Sequence, residues 1–334
     1  MKIVAFGEVM MRMMVPDYKL LTQSHQLEFM FTGTGVNVLS GLSHMGDETY
    51  LCSVLPDHHI GQAARADIRR LGIHDDAIYH KGNHIGIYFL EKGYGVRPDQ
   101  VTYLNRKESS FGKAELSDID IDQVLKDKDA LHLCGIALAI SDSTRQLAMT
   151  LAKEAKHRGI TVIFDCNYRS SLWSNEERSH AKQYYAQMLE LADIVFAGVK
   201  DATLMFDITS TYSPEEQEYL PDILMRFQKM FHIACIAGTL RDSVRDTLQG
   251  YQLTSTGFYQ SKKHQLTIYD RIGGGDAFAA GYLYAIYHME DPIMQIEYAT
   301  CSGVLGHTTY GDSPVVSKAD ILEYMEHGKS DIKR

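Results

Sequence analysis

Short apolar runs alternate along this chain with longer segments in which apolar residues recur every three or four positions. The runs are rich in Val, Ile and Phe, and they cover residues 2–7, 49–55, 130–136, 161–166, 193–197 and 233–237. Continuous apolar runs of this length are typical of strands that are covered on both faces, as in a parallel sheet. The pattern therefore predicts a buried, mostly parallel sheet.

The intervening segments have the periodicity of helices with one apolar face. Residues 142–157, for example, place Leu147, Leu151 and Ala155 on the same face. Further helices are predicted at 37–45, 61–71, 176–191 and 277–288. Because strands and helices alternate, we predict an α/β fold with a doubly wound, mostly parallel sheet and helices on both faces.

Two regions depart from this alternation because no helix separates their predicted strands. Residues 84–90 and 101–105 predict paired strands around a polar turn, and 247–253 with 257–260 predict a late hairpin. The first pair predicts a small sheet that covers a pocket as a lid. Since no linker or internal repeat divides the chain, we predict one domain over 1–334, with a β lid contributed by roughly 9–16, 28–33 and 84–107.

Composition narrows the classes of protein that fit. A formal net charge of −10 argues against nucleic-acid binding, which rewards clustered Lys and Arg. The N-terminal apolar run is interrupted at Glu8, and no segment reaches the ~20 apolar residues of a membrane-spanning helix. The histidines and cysteines form no cluster that indicates zinc, and the odd number of cysteines predicts buried, reduced thiols in strands: Cys52, Cys134, Cys166, Cys235 and Cys301. We expect a cytoplasmic protein with no nucleic-acid or membrane partner.

The stretch 270–278, DRIGGGDAF, carries the most chemical information. It follows a strand predicted at 265–269, and Asp276 stands where the next helix begins. Glycines let the backbone approach a ligand, and the free amides at a helix N-terminus favour negative charge, as on a phosphoryl group in transfer. A carboxylate beside them can accept the proton of an attacking hydroxyl. The alternative is a simple turn in which Asp276 caps the helix.

The segment DRIGGGDAFAAG resembles the C-terminal signature of PfkB (ribokinase-like) carbohydrate kinases. Within that family it is most similar to the signature of 2-keto-3-deoxygluconate kinases. The resemblance extends over nearly the whole chain and implies a ribokinase-like fold. It implies that Asp276 is the catalytic base and that the amides of Gly273, Gly274 and Gly275 form the anion hole. The remaining alternative is a sugar sensor without activity on the same fold.

The same resemblance implies an acceptor pocket. TGTGVNVLSGLSHMG is similar to a family segment that lines the sugar pocket, here through Gly33 and Asn37. Further contacts with the acceptor are implied for five residues of the lid, of a strand end and of the C-terminal HTTYGD: Tyr88, Tyr103, Arg106, Arg169 and Asp312. Asn105 is the alternative to Arg106. Because two of the five are arginines, which hold carboxylates with a planar fork, a sugar acid is the expected acceptor.

The nucleotide side matches the family less well. An Asn-x-x-Glu motif is usual after the strand near 194–196, but this chain has Val-Lys-Asp-Ala at 199–202. The Gly-x-x-Gly motif that is common in the family after the segment matching 233–238 is also replaced, here by Thr-Leu-Arg-Asp at 239–242. We expect ATP and Mg²⁺ as cofactors, but the sequence predicts no protein ligands for the metal. Nucleotide contacts are expected from Asn167, Lys200, Thr239, Gly273 and Gly275.

The implied reaction is the phosphorylation of the terminal hydroxyl of 2-keto-3-deoxygluconate to its 6-phosphate. Fructose, ribose, a 5-keto acid or a nucleoside are the alternative acceptors. In this family a lid of exposed strands often pairs with the lid of a second copy, so a homodimer through the lid is also expected.

Overall fold

The computed structural model describes residues 1–329, so the last five residues of the predicted domain, 330–334, lie outside the description. Its strands are β1 Lys2–Phe6, β2 Met10–Met14, β3 Glu28–Thr32, β4 Glu48–Leu55, β5 Ile78–His80, β6 Gly86–Glu91, β7 Gln100–Leu104, β8 Ala130–Cys134, β9 Thr161–Asp165, β10 Ile194–Phe196, β11 Cys235–Asp242, β12 Thr247–Thr254, β13 Gly257–Gln260 and β14 His264–Gln265. Its α-helices are α1 Thr34–Met45, α2 His59–Arg70, α3 Ile121–Leu125, α4 Gly135–Ile140, α5 Asp142–His157, α6 Asn175–Leu189, α7 Tyr219–Phe231, α8 Gly274–His288, α9 Pro292–Gly306 and α10 Lys318–His327.

The predicted doubly wound sheet is confirmed. Ten strands form it within the described residues, in the order β13-β12-β11-β10-β9-β8-β1-β4-β5, with β14 paired to β12. From β11 to β5 every neighbouring pair is parallel, whereas β12, β13 and β14 add antiparallel pairs at one edge. The late hairpin predicted from sequence is this antiparallel edge.

The alternation of side chains along the strands explains the two layers of helices. In β1, Val4 and Phe6 pack in a core with α5, α6 and α7, while Ile3 and Ala5 pack on the opposite face with α1, α8 and α9. All four are buried because both faces are covered, as the continuous apolar run predicts. Each face removes a separate apolar surface from water, which is the main favourable contribution to folding.

A second sheet of four strands, in the order β3-β2-β6-β7, stands apart from the main one. We call it the lid. Its central pair, β2 and β6, is parallel, with Met10 opposite Gly86, and both outer pairs are antiparallel. Parallel strands cannot be joined by a tight turn, so the chain passes through α1, β4, α2 and β5 between them.

Several predicted bounds were wrong, for identifiable reasons. Of the strand predicted at 265–269 only Gln265 lies in a strand, β14, because Tyr269 and Asp270 donate their amides to the His307 carbonyl instead of to a strand. The strand predicted at 130–136 ends at Cys134, where α4 begins, and the one at 233–237 is β11, which runs on to Asp242 because it pairs with β12.

All five cysteines, which lie within the described residues, are free. Four are buried and Cys235 is partly buried, but Cys301 lies in α9, so the expectation that all lie in strands was wrong. None of the helices within residues 1–329 has the length and apolar character needed to cross a membrane.

Candidate active site

A cavity of about 870 Å³ lies at the carboxyl ends of the central strands, beneath the lid. In open α/β sheets ligands bind at this edge. All the site residues predicted from sequence line the cavity except Gly274. The cavity has a lid side, which includes Thr32, Tyr88, Tyr103 and Arg106, and a β11 side, which includes Lys200, Asp201, Thr239 and Arg271.

The start of α8 faces this cavity, and its three glycines meet different constraints. Gly273 has a φ of 87°, and a Cβ there would lie 1.8 Å from the Asp312 carbonyl oxygen. A Cβ on Gly274 would overlap the buried His307 ring, whereas one on Gly275 would meet no described atom within 4 Å. Gly274 therefore allows helix α8 to pack, and Gly275 keeps the cavity open.

No side chain among the described residues caps α8, whose N-cap is Gly273. The first amides of a helix have no partner inside it, and here they carry partial positive charge at the edge of the cavity. Asp276 is the third residue of the helix and not its cap, so the interpretation as a simple cap was wrong. This geometry suits an anionic group.

Asp276 is held from the lid side. Its Oδ2 accepts a hydrogen bond of 2.7 Å from Nδ2 of Asn37 on α1. Burial, together with the nearby charges of Asp165 and Asp312, raises the pKa of Asp276 to about 8, while Asn37 and Arg169 oppose this shift. A carboxylate with such a pKa is a stronger base than an ordinary aspartate, and it acts as a base in its unprotonated form.

The orientation of Asn37 is itself fixed by neighbouring hydroxyls. Its Oδ1 accepts hydrogen bonds from Oγ1 of Thr32 and from Oγ of Ser313, both at 3.0 Å. Since the amide oxygen is satisfied by these donors, the amide nitrogen points to Asp276. Thr32 therefore contributes a hydroxyl to the network.

Arg12, on the lid strand β2, was not predicted as a site residue. Its side chain is 0% exposed and forms ion pairs with Asp312 and, at 2.8 Å, with Asp270. Burial opposes the charge, yet these two carboxylates raise the pKa of Arg12 above its usual value. Lys92 lies 3.4 Å from Asp270, so the lid places two cations against the loops that flank the glycine turn.

Asp312 lines the cavity, but its oxygens already have protein partners. Besides Arg12, Asp312 accepts a hydrogen bond from the Tyr88 hydroxyl, and its Oδ2 lies 2.9 Å from Oγ1 of Thr32, whose single proton can go to Asp312 or to Asn37. Both donors are lid residues. Its role as an acceptor ligand stays a prediction, and its visible contacts anchor the lid.

The lid also carries the predicted aromatic and basic residues. Tyr88 and Tyr103 are opposite each other in β6 and β7, with ring centroids 5.7 Å apart. Nε of Arg106 donates to Oε2 of the buried Glu8 at 2.5 Å, and the guanidinium lies 5.3 Å from the Tyr103 ring centre. Glu8, which sequence reasoning missed as a contact, thus orients Arg106 at the rim of the cavity. Asn105 precedes the helical turn that Arg106 begins.

The end of β9 adds a carboxylate, an amide and a guanidinium. Nδ2 of Asn167 donates to Oδ2 of Asp165 at 3.2 Å, and Asn167 has a φ of 36°. Burial, followed by the charge of Asp201, raises the pKa of Asp165 to about 7. The exposed Arg169 lines the same cavity.

On the β11 side, Asp201 begins a π-helical turn, Asp201–Met205. Its Oδ2 accepts from the Gly198 amide at 2.7 Å, and burial raises its pKa. Lys200 is exposed, and Thr239 lies on β11 at the cavity wall. The π-helical turn is a type of insertion that is frequent at functional sites.

Both the sequence and the fold are similar to those of known carbohydrate kinases. Residues 1–317 match the model of the pfkB family of carbohydrate kinases. The chain is 25% identical over 333 residues to 2-dehydro-3-deoxygalactonokinase of Haloferax volcanii, and the match covers 100% of this chain and 99% of that protein.

Two solved structures are similar over almost their full length. A protein of Enterococcus faecalis with a provisional assignment as a 2-keto-3-deoxygluconate kinase superposes with a TM-score of 0.95 at 39% identity, covering 100% of this chain and 98% of the other. The 2-dehydro-3-deoxygluconokinase of Thermotoga maritima gives a TM-score of 0.91 at 29% identity over 98% of each chain.

Proposed function

The chain belongs to the PfkB family of carbohydrate kinases, and on this premise we propose that it transfers the γ-phosphate of ATP to the terminal hydroxyl of a sugar acid, 2-keto-3-deoxygluconate. One observation carries the proposal. Asp276, at the uncapped start of α8, faces the same cavity as two arginines, Arg106 and Arg169. The cavity thus combines a base, an anion-binding helix end and cations for a carboxylate.

The two arginines have different surroundings, which suits different tasks. Arg106 uses Nε to bind Glu8, and a guanidinium has five N–H donors, so the rest of its fork can bind an acceptor carboxylate. Arg169 lies near Asp276 and Asp165, whose pKa values it lowers. It is placed to hold charge where acceptor and phosphoryl group meet.

The transfer requires a proton acceptor and a site for developing charge. Asp276 takes the proton of the acceptor hydroxyl, whose oxygen then attacks the γ-phosphorus while the bond to the ADP oxygen breaks. The amides at the start of α8 stabilise the negative charge on the transferred group. In other enzymes, removal of one such donor raises the barrier by about 3–4 kcal/mol.

ATP and Mg²⁺ are the proposed cofactors, and the carboxylates of the cavity fit the metal. Asp165 and Asp201 both line the cavity, and burial is the main cause of the raised pKa of each, an effect that a bound cation would oppose. Oxygen ligands of this kind would hold Mg²⁺, often with water, and the ion would neutralise the phosphate oxygens. Asn167, Lys200, Thr239, Gly273 and Gly275 are the proposed nucleotide contacts.

The test is an ADP-release assay with Mg-ATP over a panel of acceptors: 2-keto-3-deoxygluconate, its galactonate counterpart, a 5-keto acid, gluconate, fructose, ribose and adenosine. We expect the highest kcat/KM with the keto-deoxy acid. Equal or better turnover of neutral sugars would contradict the sugar-acid proposal while leaving the kinase chemistry intact.

Two variants isolate the role of the acceptor's charge. In Arg106→Gln and in Arg169→Gln, KM for the acid should rise, because a charged hydrogen bond is worth about 1.5–3 kcal/mol. Arg226→Gln, at an exposed position of α7, is the matched control. A KM for the acid that stays normal in both cavity variants would show that other groups recognise the carboxylate.

A homodimer through the lid remains a proposal. The outer surface of the lid exposes large apolar side chains, among them Phe29 at 56% and Leu104 at 45%. Exposed apolar surface of this kind favours association. Light scattering of the wild type against a Phe29→Lys, Leu104→Lys variant tests it, and a monomeric wild type would contradict it. The cytoplasmic location likewise stays a prediction from sequence.

A further inference from the structure

A cluster of three potential metal ligands lies between β14 and α9, among residues to which the proposed kinase chemistry assigns no role. His264 belongs to β14, while Glu297 and Cys301 are four residues apart on α9 and so share one face of the helix. One nitrogen, one oxygen and one sulfur of these side chains all lie within 4.8 Å of one another. We propose that His264, Glu297 and Cys301 bind a zinc ion, with water as its fourth ligand.

The distances suit a single ion. Nε2 of His264 lies 3.0 Å from Oε1 of Glu297 and 4.0 Å from Sγ of Cys301. Tetrahedral zinc, with bonds of about 2.0–2.3 Å, holds its ligand atoms roughly 3–4 Å apart. Small side-chain rotations therefore suffice to place all three atoms around one centre.

The surrounding groups already orient the ligands. Nδ1 of His264 lies 3.3 Å from the Tyr324 hydroxyl on α10, and Oε2 of Glu297 accepts from the Lys262 amide at 2.9 Å. A second hydrogen bond of this kind on the far nitrogen of a histidine, or on the far oxygen of a carboxylate, is the usual support of a metal ligand. When Nδ1 donates to the tyrosine oxygen, Nε2 is free for the metal.

The chemistry of the set selects zinc among common cations. Mg²⁺ and Ca²⁺ prefer oxygen ligands, whereas a mixture of imidazole, thiolate and carboxylate suits Zn²⁺. Burial, with the charge of Glu297, raises the pKa of the Cys301 thiol to about 12, so zinc binding releases the thiol proton to solvent as the Zn–S bond forms. Thiolate and carboxylate together neutralise the ion, and partial exposure of His264 leaves an entry path.

Such an ion would stabilise the structure behind the active site. It would join β14, and through it β12, to α9, next to α10. Helix α9 packs against α8, whose first turn carries Asp276. The competing explanation is that His264 and Glu297 form an ion pair and Cys301 is a buried apolar neighbour.

The first experiment measures zinc binding to full-length protein that has been stripped with a chelator, by competition with a chromophoric indicator. We expect one equivalent in the wild type and a loss of affinity of more than about 10-fold in Cys301→Ser and in His264→Gln. The matched control is His288→Gln, because His288 pairs with Asp47 at the same kind of distance, 2.9 Å, and should bind zinc like the wild type. Equal binding by wild type and both cluster variants would overturn the proposal.

A second readout detects the sulfur ligand directly in the wild type. Cobalt(II) bound to the wild type should show an absorption band from thiolate-to-cobalt charge transfer, and the band should persist in Cys235→Ser, a change of a cysteine outside the cluster. Cobalt binding without this band would show that Cys301 is not a ligand, and less than one equivalent of bound zinc would overturn the proposed site. Because the readout is metal binding, the result is independent of which acceptor the kinase uses.

Discussion

The lid side and the β11 side of the cavity differ in how their charged side chains are held. On the lid side, Arg12 and Asp312 are buried in a closed network that includes Tyr88 and Thr32. On the β11 side, Lys200 and Arg271 are exposed. The charged groups of the lid side are therefore desolvated when the protein folds. Those cations of the β11 side stay hydrated until a ligand binds. On the proposed function, the difference implies that the acceptor site is preformed and that phosphate contacts form on binding.

The largest effect is expected where the two sides meet, at Asp276. Asp276→Asn keeps the shape and the contact with Asn37 but cannot take a proton, so kcat should fall by about 10²–10⁴-fold. The melting temperature should stay close to that of the wild type. Steady-state kinetics and thermal unfolding measure both.

Asp291→Asn is the matched control for this change. Asp291 is exposed and caps α9, and asparagine caps a helix equally well. Near-normal turnover in Asp276→Asn would contradict the proposal that Asp276 is the catalytic base. It would also mean that the reaction does not take place where the two sides of the cavity meet.

Breaking the lid network should cost stability. Arg12→Met leaves the buried Asp312 without its cation and Asp270 with Lys92 alone, and removal of one partner of a buried ion pair typically costs about 3–5 kcal/mol. Denaturant unfolding would measure the loss, and kcat should fall as the lid is displaced. Arg12→Lys keeps the charge but not the planar guanidinium, so its stability should be intermediate. An Arg12→Met variant as stable as the wild type would contradict the difference that we infer between the two sides of the cavity.

A change on the β11 side should act on nucleotide binding alone. Lys200→Ala removes an exposed cation that lines the cavity, so KM for ATP should rise several-fold while the free energy of unfolding changes by less than about 0.5 kcal/mol. Lys229→Ala, exposed on α7, is the control. A marked loss of stability in Lys200→Ala would show that this side is preformed too.

The smallest effect concerns pH. Asp276 must be unprotonated to act as a base, so kcat/KM should rise with pH through its pKa of about 8 in the free enzyme. Arg169 lowers this pKa, and Arg169→Gln should therefore move the rising limb to higher pH. A pH–rate profile measures the shift, and a limb that stays in place would mean that Arg169 does not reach Asp276 electrostatically.

The sequence predicted the fold and the position of Asp276 and its glycines at the start of α8, because both depend on local patterns. Glycines, an adjacent carboxylate and an apolar helix stand within a few residues of each other at 273–288. The apolar runs likewise specified the order of strands and helices, although pairing partners decided where β11 and β14 end.

What sequence could not show are contacts between distant residues. Arg12 pairs with Asp270 and Asp312, which lie 258 and 300 positions later in the chain, and an arginine within a strand gives no sign of such partners. For the same reason sequence reasoning did not find the cluster of His264, Glu297 and Cys301, since His264 lies 33 positions from Glu297. The expectation that no histidine and cysteine cluster exists rested on spacing alone.

The parallel pairing of β2 and β6 has a consequence for how the protein folds. Met10 faces Gly86 although α1, β4, α2 and β5 separate the two residues in the chain. Non-local contacts of this kind form slowly, because loop closure costs entropy before any contact is gained. The lid should therefore assemble late in folding. Its amides should also exchange hydrogen through local openings well before those of the central strands.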